Sequence, residues 1–393
     1  MSNILTPPAR GFSQVEFAER TKKLQQRMKD QRIDAVFFTT EQEFRYFSGF
    51  KSQFWESPTR PWFLVVPVTG KPIAVVPGIG AAGFTHTWIE DVRCWPSPRP
   101  EDDGISLLSD TLCEVSSVGG VIGAMLGPET HLRMPASNYQ TLHSRLNQRS
   151  VIDISDIVRD IRSIKSTAEI EKLRFVCDVT AEGFNYLLEY LRAGMTEREA
   201  CKAMHIEMLG LGADACPYLI SASGPGGYDD IIMGPSDREL LQGDVLIIDT
   251  GANFDGYFSD FDRNFGFGEV SSATHRAYEA VYASTEAGLA TAAPGRTTGD
   301  IWQAMWSVLE KAGALGNDVG RMGHGLGMQL TEWPSNVKGG DVILQAGMIL
   351  TLEPGMTFAP GKMMVHEENI LITESGCEML HQRAWSQLPI IKG

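Results

Sequence analysis

The sequence predicts two domains: an α/β domain, then a domain of long helices followed by paired strands. Three observations predict this. The chain has 393 residues, more than one domain of about 150 residues accommodates. Strand and helix signals alternate through the first third of the chain. Between Val151 and Lys165 the pattern turns charged, and a helix-start signal follows. The boundaries drawn from this are 1–160 and 161–393.

Taken in order, Ser13-Gln-Val-Glu16 reads as a capping box, opening a helix to about Lys29 with Phe17, Leu24 and Met28 as its apolar positions. Asp34–Thr40 (DAVFFTT) reads as a buried strand. Arg60–Pro77 reads as two strands around the turn Thr69-Gly70-Lys71, and Gly119–Met125 as a further strand. In the second domain, Ser166-Thr-Ala-Glu169 is another capping box, heading an amphipathic helix that stops by Gly194. Thr196-Glu-Arg-Glu199 opens a helix to about Leu211. Strands follow near Asp244–Thr250 and Gly256–Phe265, then helices over His275–Ala293 and Ile301–Ala312, then strands near Met348–Phe358 and Met363–Thr373.

Composition narrows the function. Forty-nine acidic residues against 34 basic give a net charge of −15, which repels nucleic-acid phosphates and anionic membranes, so neither is an expected partner. No apolar run approaches the roughly 20 residues that span a bilayer, and Met1–Gln14 has no apolar core of signal-peptide length. The six cysteines form no CxxC pair and suggest neither a disulfide framework nor a zinc knuckle. They read as reduced thiols of a cytoplasmic protein.

The chemistry is concentrated in two hairpins. In Asp249–Asp260 (DTGANFDGYFSD) two strands flank a turn at Phe254–Gly256. Antiparallel partners share a constant index sum, and centring the turn between 254 and 255 sets Asp249 opposite Asp260. Near the C-terminus, Glu353 and Glu367 are opposed in the same way about the turn Pro360-Gly361. Like charges directly opposite are destabilising unless something neutralises them, and a divalent cation is the simplest neutraliser. Between the hairpins lies Gly323-His324-Gly325-Leu326-Gly327, where glycines allow close backbone approach and His324 offers an imidazole. Taken singly, each of these five residues has an ordinary structural explanation; two opposed carboxylate pairs with a glycine-flanked histidine do not. Four carboxylates and one imidazole suit two moderately hard divalent ions, with Mn²⁺, Co²⁺, Fe²⁺ or Zn²⁺ all compatible. Bridging carboxylates hold such ions about 3.5–4 Å apart, and a water between them becomes a nucleophile near neutral pH.

The segments IIDTGANFDGYFSDFDR, GHGLGMQLTEWPS, LTLEPGM and VHEENILIT resemble those of the creatinase, prolidase and aminopeptidase P group of the pita-bread metallopeptidase superfamily. RYFSGF at Arg45–Phe50 extends the resemblance into the first domain. It implies an α/β creatinase-like N-terminal domain plus an α+β pita-bread catalytic domain. It implies a dinuclear site with Asp249, Asp260, His324, Glu353 and Glu367 as ligands, and Glu353 as the group that takes a proton from the attacking water. In creatinase-like dimers a loop resembling Phe54–Arg60 reaches the partner's site, which makes Trp55 and Arg60 candidate substrate contacts and the homodimer the expected assembly.

The chain also departs from the group. Where peptidases of this group carry a histidine upstream of the first ligand strand, this chain has Ile232-Met233; the second outer histidine is Thr331, and a frequent arginine two residues before the last Glu is Val365. Asp262 stands where a threonine is usual. Each lost donor in a dry site is worth roughly 3 kcal/mol of barrier, and Thr331, Asp262 and Arg60 are the candidate replacements. The activity expected is metal-dependent hydrolysis of a C–N amide bond in a small polar substrate, a dipeptide or amide, like an Xaa-Pro dipeptidase or aminopeptidase. The alternative is a small-molecule amide or amidine hydrolase, like ectoine hydrolase or creatinase, or a lyase on the same fold. A non-catalytic binding protein is a third reading, which the five intact ligand positions oppose.

Overall fold

A computed structural model describes residues 5–317 and 320–392. The expectation that no targeting segment opens the chain falls partly on residues 1–4, outside the described residues. The chain divides into two compact units between Arg162 and Ser163, where the sequence set the boundary at 160/161. The segment ending at Ala9 joins the second unit, where the buried Lys172 Nζ donates to the Ala9 carbonyl. Among the described residues no helix is long and apolar enough to cross a membrane.

The first unit is built on a mixed sheet. Its described strands run in the order Asp91–Trp95, Ile73–Pro77, Phe63–Pro67, Ala35–Phe38, Val121–Ala124 and Ser150–Asp153. Ala35–Phe38 is antiparallel to Phe63–Pro67 and parallel to Val121–Ala124. It is buried along its whole length, so it reads as a continuous apolar run. Phe37, Phe63, Val65, Leu108 and Leu112 form one core on this sheet. The helix Gln14–Asp30 buries Phe17, Leu24 and Met28, as its apolar spacing predicts. Ser13 caps it by accepting from Glu16 N at 3.2 Å. The expected reciprocal bond from the Glu16 carboxylate is replaced by an ion pair with Arg20 at 3.1 Å, because a buried guanidinium one turn on competes for it.

In the second unit the capping boxes Ser166–Glu169 and Thr196–Glu199 both close, opening the helices Thr167–Tyr190 and Glu197–Gly210. One sheet runs Ile390–Ile391, Phe261–Phe267, Asp244–Phe254, Ala215–Pro225, with Tyr257–Phe258 also paired to Asp244–Phe254. A second runs Glu332–Ser335, His324–Gly325, Ile349–Leu352, Glu368–Ile372, Cys377–Met379, and Gly355–Ala359 pairs with Lys362–Val365. The helices Ser272–Thr291 and Thr298–Lys311 cover this side of the unit. Val281, Met305, Leu350, Leu352 and Met364 belong to the core between them.

Candidate metal centre and active site

The first hairpin closes on Asp255-Gly256, whose φ values are +50° and +88°. Both central residues have positive φ, the requirement of a two-residue type I′ turn, and Asp-Gly is among the pairs that meet it most readily. The turn sets the register: Phe254 faces Tyr257, Thr250 faces Phe261, and Asp249 faces Asp262. This corrects the sequence expectation that Asp249 faces Asp260. Asp260 lies two residues nearer the turn, on the same face as Asp262. Its backbone is held by one side chain: Asn369 Oδ1 accepts from Asp260 N at 3.3 Å, and Asn369 Nδ2 donates to Asp260 O. Gly251 lets the Ser259 backbone fold closely against its strand, since a Cβ there would lie 1.7 Å from Ser259 O. The helix Thr167–Tyr190 pins the turn from behind, with Tyr257 OH donating to Glu169 at 2.9 Å and Thr180 Oγ1 2.8 Å from Ser259 Oγ.

The second hairpin keeps the predicted register. Leu352 faces Glu368 on one side of Glu353 and Glu367, and Gly355 faces Val365 on the other. The two glutamates fall in the break between these ladders. Glu353 N donates to Met322 O at 3.3 Å, which ties the break to the glycine-rich segment. His366, next to Glu367, points away into the core, its Nδ1 2.9 Å from Thr285 Oγ1. Arg263 spans both hairpins: it donates to the Asp262 and Glu367 carbonyls and pairs with the buried Glu368 at 2.8 Å.

His324 is buried, its Nδ1 2.8 Å from Gly325 O and its Nε2 3.3 Å from Asp260 Oδ2. The carbonyl partner fixes the tautomer with the proton on Nδ1, leaving Nε2 to face the carboxylates. Asp260, His324 and Glu367 bring ligand atoms within 4.8 Å of one another, and so do Asp249, Asp262 and Glu367. Glu367 is common to both groups. Glu353 belongs to neither, and Asp262, which the sequence reading did not count among the ligands, belongs to the second. Asp249 and Glu353 keep partial exposure while Asp260, Asp262, His324 and Glu367 are buried, so the site opens on the Asp249–Glu353 side. Tyr218, on the neighbouring strand, donates to Asp260 Oδ1.

The electrostatics are those of a site built for positive charge. Burial first, and the neighbouring carboxylates second, push Asp249 and Glu367 well above the ordinary carboxylate range. The same causes push Asp262 and Glu353 up to about 8. Burial alone would keep His324 uncharged, but Asp260 overcomes it and raises the imidazole. Among the described residues, Asp262 Oδ1 and Glu367 Oε1 are buried without a hydrogen-bond partner. A buried carboxylate oxygen without a donor is costly, and bound cations on these oxygens remove that cost. Carboxylate oxygens with one imidazole nitrogen form a donor set that moderately hard divalent ions accept, so the residues present fit them.

Comparison with known proteins agrees with this geometry. The family model of metallopeptidase family M24 matches residues 171–374, and that of the creatinase/prolidase N-terminal domain matches residues 20–164. The chain belongs to metallopeptidase family M24. A probable dipeptidase PepE of Mycobacterium tuberculosis is 29% identical over 94% of this chain and 95% of that protein. An uncharacterized peptidase of Staphylococcus aureus is 27% identical over 92% of this chain and 98% of its own length. The crystal structure of dipeptidase PepE from Mycobacterium ulcerans superposes with a TM-score of 0.84 at 26% identity, covering 98% of this chain and all (100%) of that one. A prolidase from Thermococcus sibiricus shares the fold, with a TM-score of 0.85 at 24% identity over 97% of this chain and 100% of its own. The first unit is thus the creatinase-like domain and the second the pita-bread domain. This M24 chain is a metal-dependent hydrolase of C–N amide bonds, and divalent ions are part of its chemistry.

The remaining sequence candidates fall elsewhere. Trp55 is half-buried in the first unit, edge-to-face with Phe44 at 5.4 Å and 6.2 Å from Trp62. Arg60 lies in the same unit with its guanidinium 5.3 Å from the Phe54 ring centroid. Thr331 is exposed in the second unit and accepts from Arg321 Nη2 at 3.2 Å. Ile232 and Met233 are exposed, and Val365 is buried in the core, so none of these three supplies a polar donor. Sequence reasoning gave no ligand role to Asp262 and overlooked Tyr218, Asn369 and Arg263. The first was legible in the Asp-Gly turn; the other three are brought to the site only by sheet order.

Proposed function

We propose that this M24 enzyme binds two divalent ions, of Mn, Co, Fe or Zn, and hydrolyses a dipeptide or comparable small amide in the cytoplasm, in the manner of an Xaa-Pro dipeptidase or aminopeptidase. The observation that carries this is Glu367: it belongs to two groups of donors, Asp260–His324–Glu367 and Asp249–Asp262–Glu367, and one of its oxygens is buried without a partner among the described residues. These residues would hold the ions, which supply polarisation of the amide carbonyl and a lowered water pKa.

The chain's own groups do the rest. Glu353 lies on the partly exposed side of the site, and with the ions bound its carboxylate is suited to accept a proton from the attacking water and return it to the leaving nitrogen. Asn369 and Arg263 hold the Asp260, Asp262 and Glu367 backbones, so the donors need little rearrangement when substrate arrives. The apolar residues at 232, 233 and 365 support a second reading, an amide or amidine hydrolase or a lyase acting on a small non-peptide substrate.

The test incubates metal-reconstituted protein with Xaa-Pro dipeptides and with cyclic amides, read by mass spectrometry. Dipeptide cleavage abolished by chelator supports the first reading; cleavage of cyclic amides alone selects the second. The assembly proposed is a homodimer in which the loop carrying Trp55 and Arg60 reaches the neighbouring copy's site. Mixing Arg60→Ala with Glu353→Gln under subunit exchange then restores part of the activity, and no recovery despite proven exchange removes the shared site.

A further inference from the structure

We infer that His381 is a positioning residue of the ion site: its imidazole holds Asn369, and Asn369 holds Asp260. This rests on the reading of Asp260 as an ion ligand and adds what fixes that ligand in place.

Asp260 needs such a device because of where it lies. It falls between the strands Tyr257–Phe258 and Phe261–Phe267 and belongs to neither. Its backbone is set by one side chain instead of a ladder: Asn369 Oδ1 accepts from Asp260 N at 3.3 Å, and Asn369 Nδ2 donates to Asp260 O. A grip of this kind is only as fixed as the backbone of Asn369.

That backbone ends on an imidazole. Cys377–Met379 pairs with Glu368–Ile372 as far as Met379 opposite Ile370. One residue on, Leu380 N donates to Asn369 O at 3.1 Å, while Asn369 N donates to His381 Nε2 at 3.3 Å. Hydrogen-bonded antiparallel partners normally exchange both N–H···O bonds; here a ring nitrogen takes the place of the second carbonyl. His381 is suited to the task. Its Nδ1 lies 2.7 Å from Gln382 O, which places the ring proton there and leaves a lone pair on Nε2. Glu368 Oε2 is also 3.3 Å from Nε2, but that carboxylate is taken by Arg263 Nη2 at 2.8 Å and by Ala384 N at 3.0 Å. The His381 side chain is fully buried, so water cannot replace it as the acceptor. Its ring also meets Phe261, between Asp260 and Asp262, at a centroid distance of 4.3 Å and an interplanar angle of 64°. One side chain thus touches both carboxylate hairpins: the first through Phe261, the second through Asn369, two residues beyond Glu367.

The experiment has two arms, both on the full-length chain. In the first, metal-free wild type labelled with nitrogen-15 histidine is read by NMR at neutral pH, with His381→Gln to assign the signal. The proton is expected on Nδ1, with Nε2 bare; a proton on Nε2 overturns the contact. In the second, Mn²⁺ affinity is measured by competition with a chelating dye. His381→Phe keeps a ring against Phe261 but removes the acceptor, and should weaken Mn²⁺ binding roughly tenfold. His381→Gln carries an acceptor as many bonds from the backbone as Nε2 and should recover most of that loss. Asn369→Leu should weaken binding at least as much, and adding His381→Phe to it should change little further, because the imidazole acts through Asn369. Wild-type affinity in folded His381→Phe, equal losses in the Phe and Gln variants, or losses that multiply in the double variant overturn the positioning role. If His381→Phe does not fold, the Gln variant and the NMR arm decide. A wild type that binds no Mn²⁺ overturns the ion reading, while the NMR arm still decides the contact between His381 and Asn369.

Discussion

The two carboxylate hairpins solve one problem in different ways. In the first, Asp249 and Asp262 sit inside a continuous ladder, so the pleat fixes where each carboxylate points. In the second, Glu353 and Glu367 sit in a gap between two ladders that keep one register on both sides. There the backbone is freed from cross-strand pairing and is held by Met322 and Arg263 instead. A ladder gives a short aspartate a fixed direction. A gap lets a longer glutamate approach from an angle no pleat provides, at the expense of needing outside anchors. The difference teaches which pair is adjustable: the aspartates are suited to rigid donation, and the partly open Glu353 to moving a proton.

This contrast can be broken at three points. The largest effect is expected at Glu353. Glu353→Gln keeps the shape but removes the proton acceptor, and kcat should fall by roughly 10²- to 10⁴-fold with unfolding near that of the wild type. Wild-type turnover in a metal-loaded variant would remove the base from the gap.

The next effect tests the ladder. With Asp262 facing Asp249, Asp262→Asn should weaken binding of one divalent ion by at least about tenfold, measured by competition with a chelating dye. Unchanged affinity in Asp262→Asn, with the whole loss in Asp260→Asn, would return Asp260 to the position facing Asp249.

The smallest effect is on stability and involves both hairpins. In the unfolded chain these carboxyls titrate near 4; in the folded, metal-free chain Asp262 and Glu353 are raised to about 8. The folded state then holds the extra protons, so stability is greatest at the acid end of this window and falls as pH rises through it. With chelator present, the unfolding midpoint should drop by about 3 °C or more between pH 5.5 and 8.5. Saturating Mn²⁺ should flatten or reverse the trend. A chelated protein that grows more stable over the same range would show that the carboxylates are neutralised within the chain itself.

Much of this was legible before any fold was known, and the misses have physical causes. The capping boxes at Ser166 and Thr196 act within one turn of chain, so local sequence suffices. The box at Ser13 failed to close because Arg20, also on that helix, takes the Glu16 carboxylate. The register of the second hairpin followed from Pro360-Gly361; that of the first was misplaced by two residues because the turn was centred before Asp255-Gly256 rather than on it.

The sequence by itself determined the donors: which carboxylates and which imidazole are available, and which outer positions lost theirs, because residue type and turn chemistry are local. Only the tertiary structure decided which donors meet. The strand Ala215–Pro225, absent from the sequence reading, brings Tyr218 to Asp260 by pairing with Asp244–Phe254. Asn369 reaches Asp260, and Arg263 reaches Glu367, across more than a hundred residues of chain, 109 and 104. Such contacts depend on sheet order and on burial, which leaves a polar atom no partner but the one the fold delivers, and neither is written in any single stretch of residues.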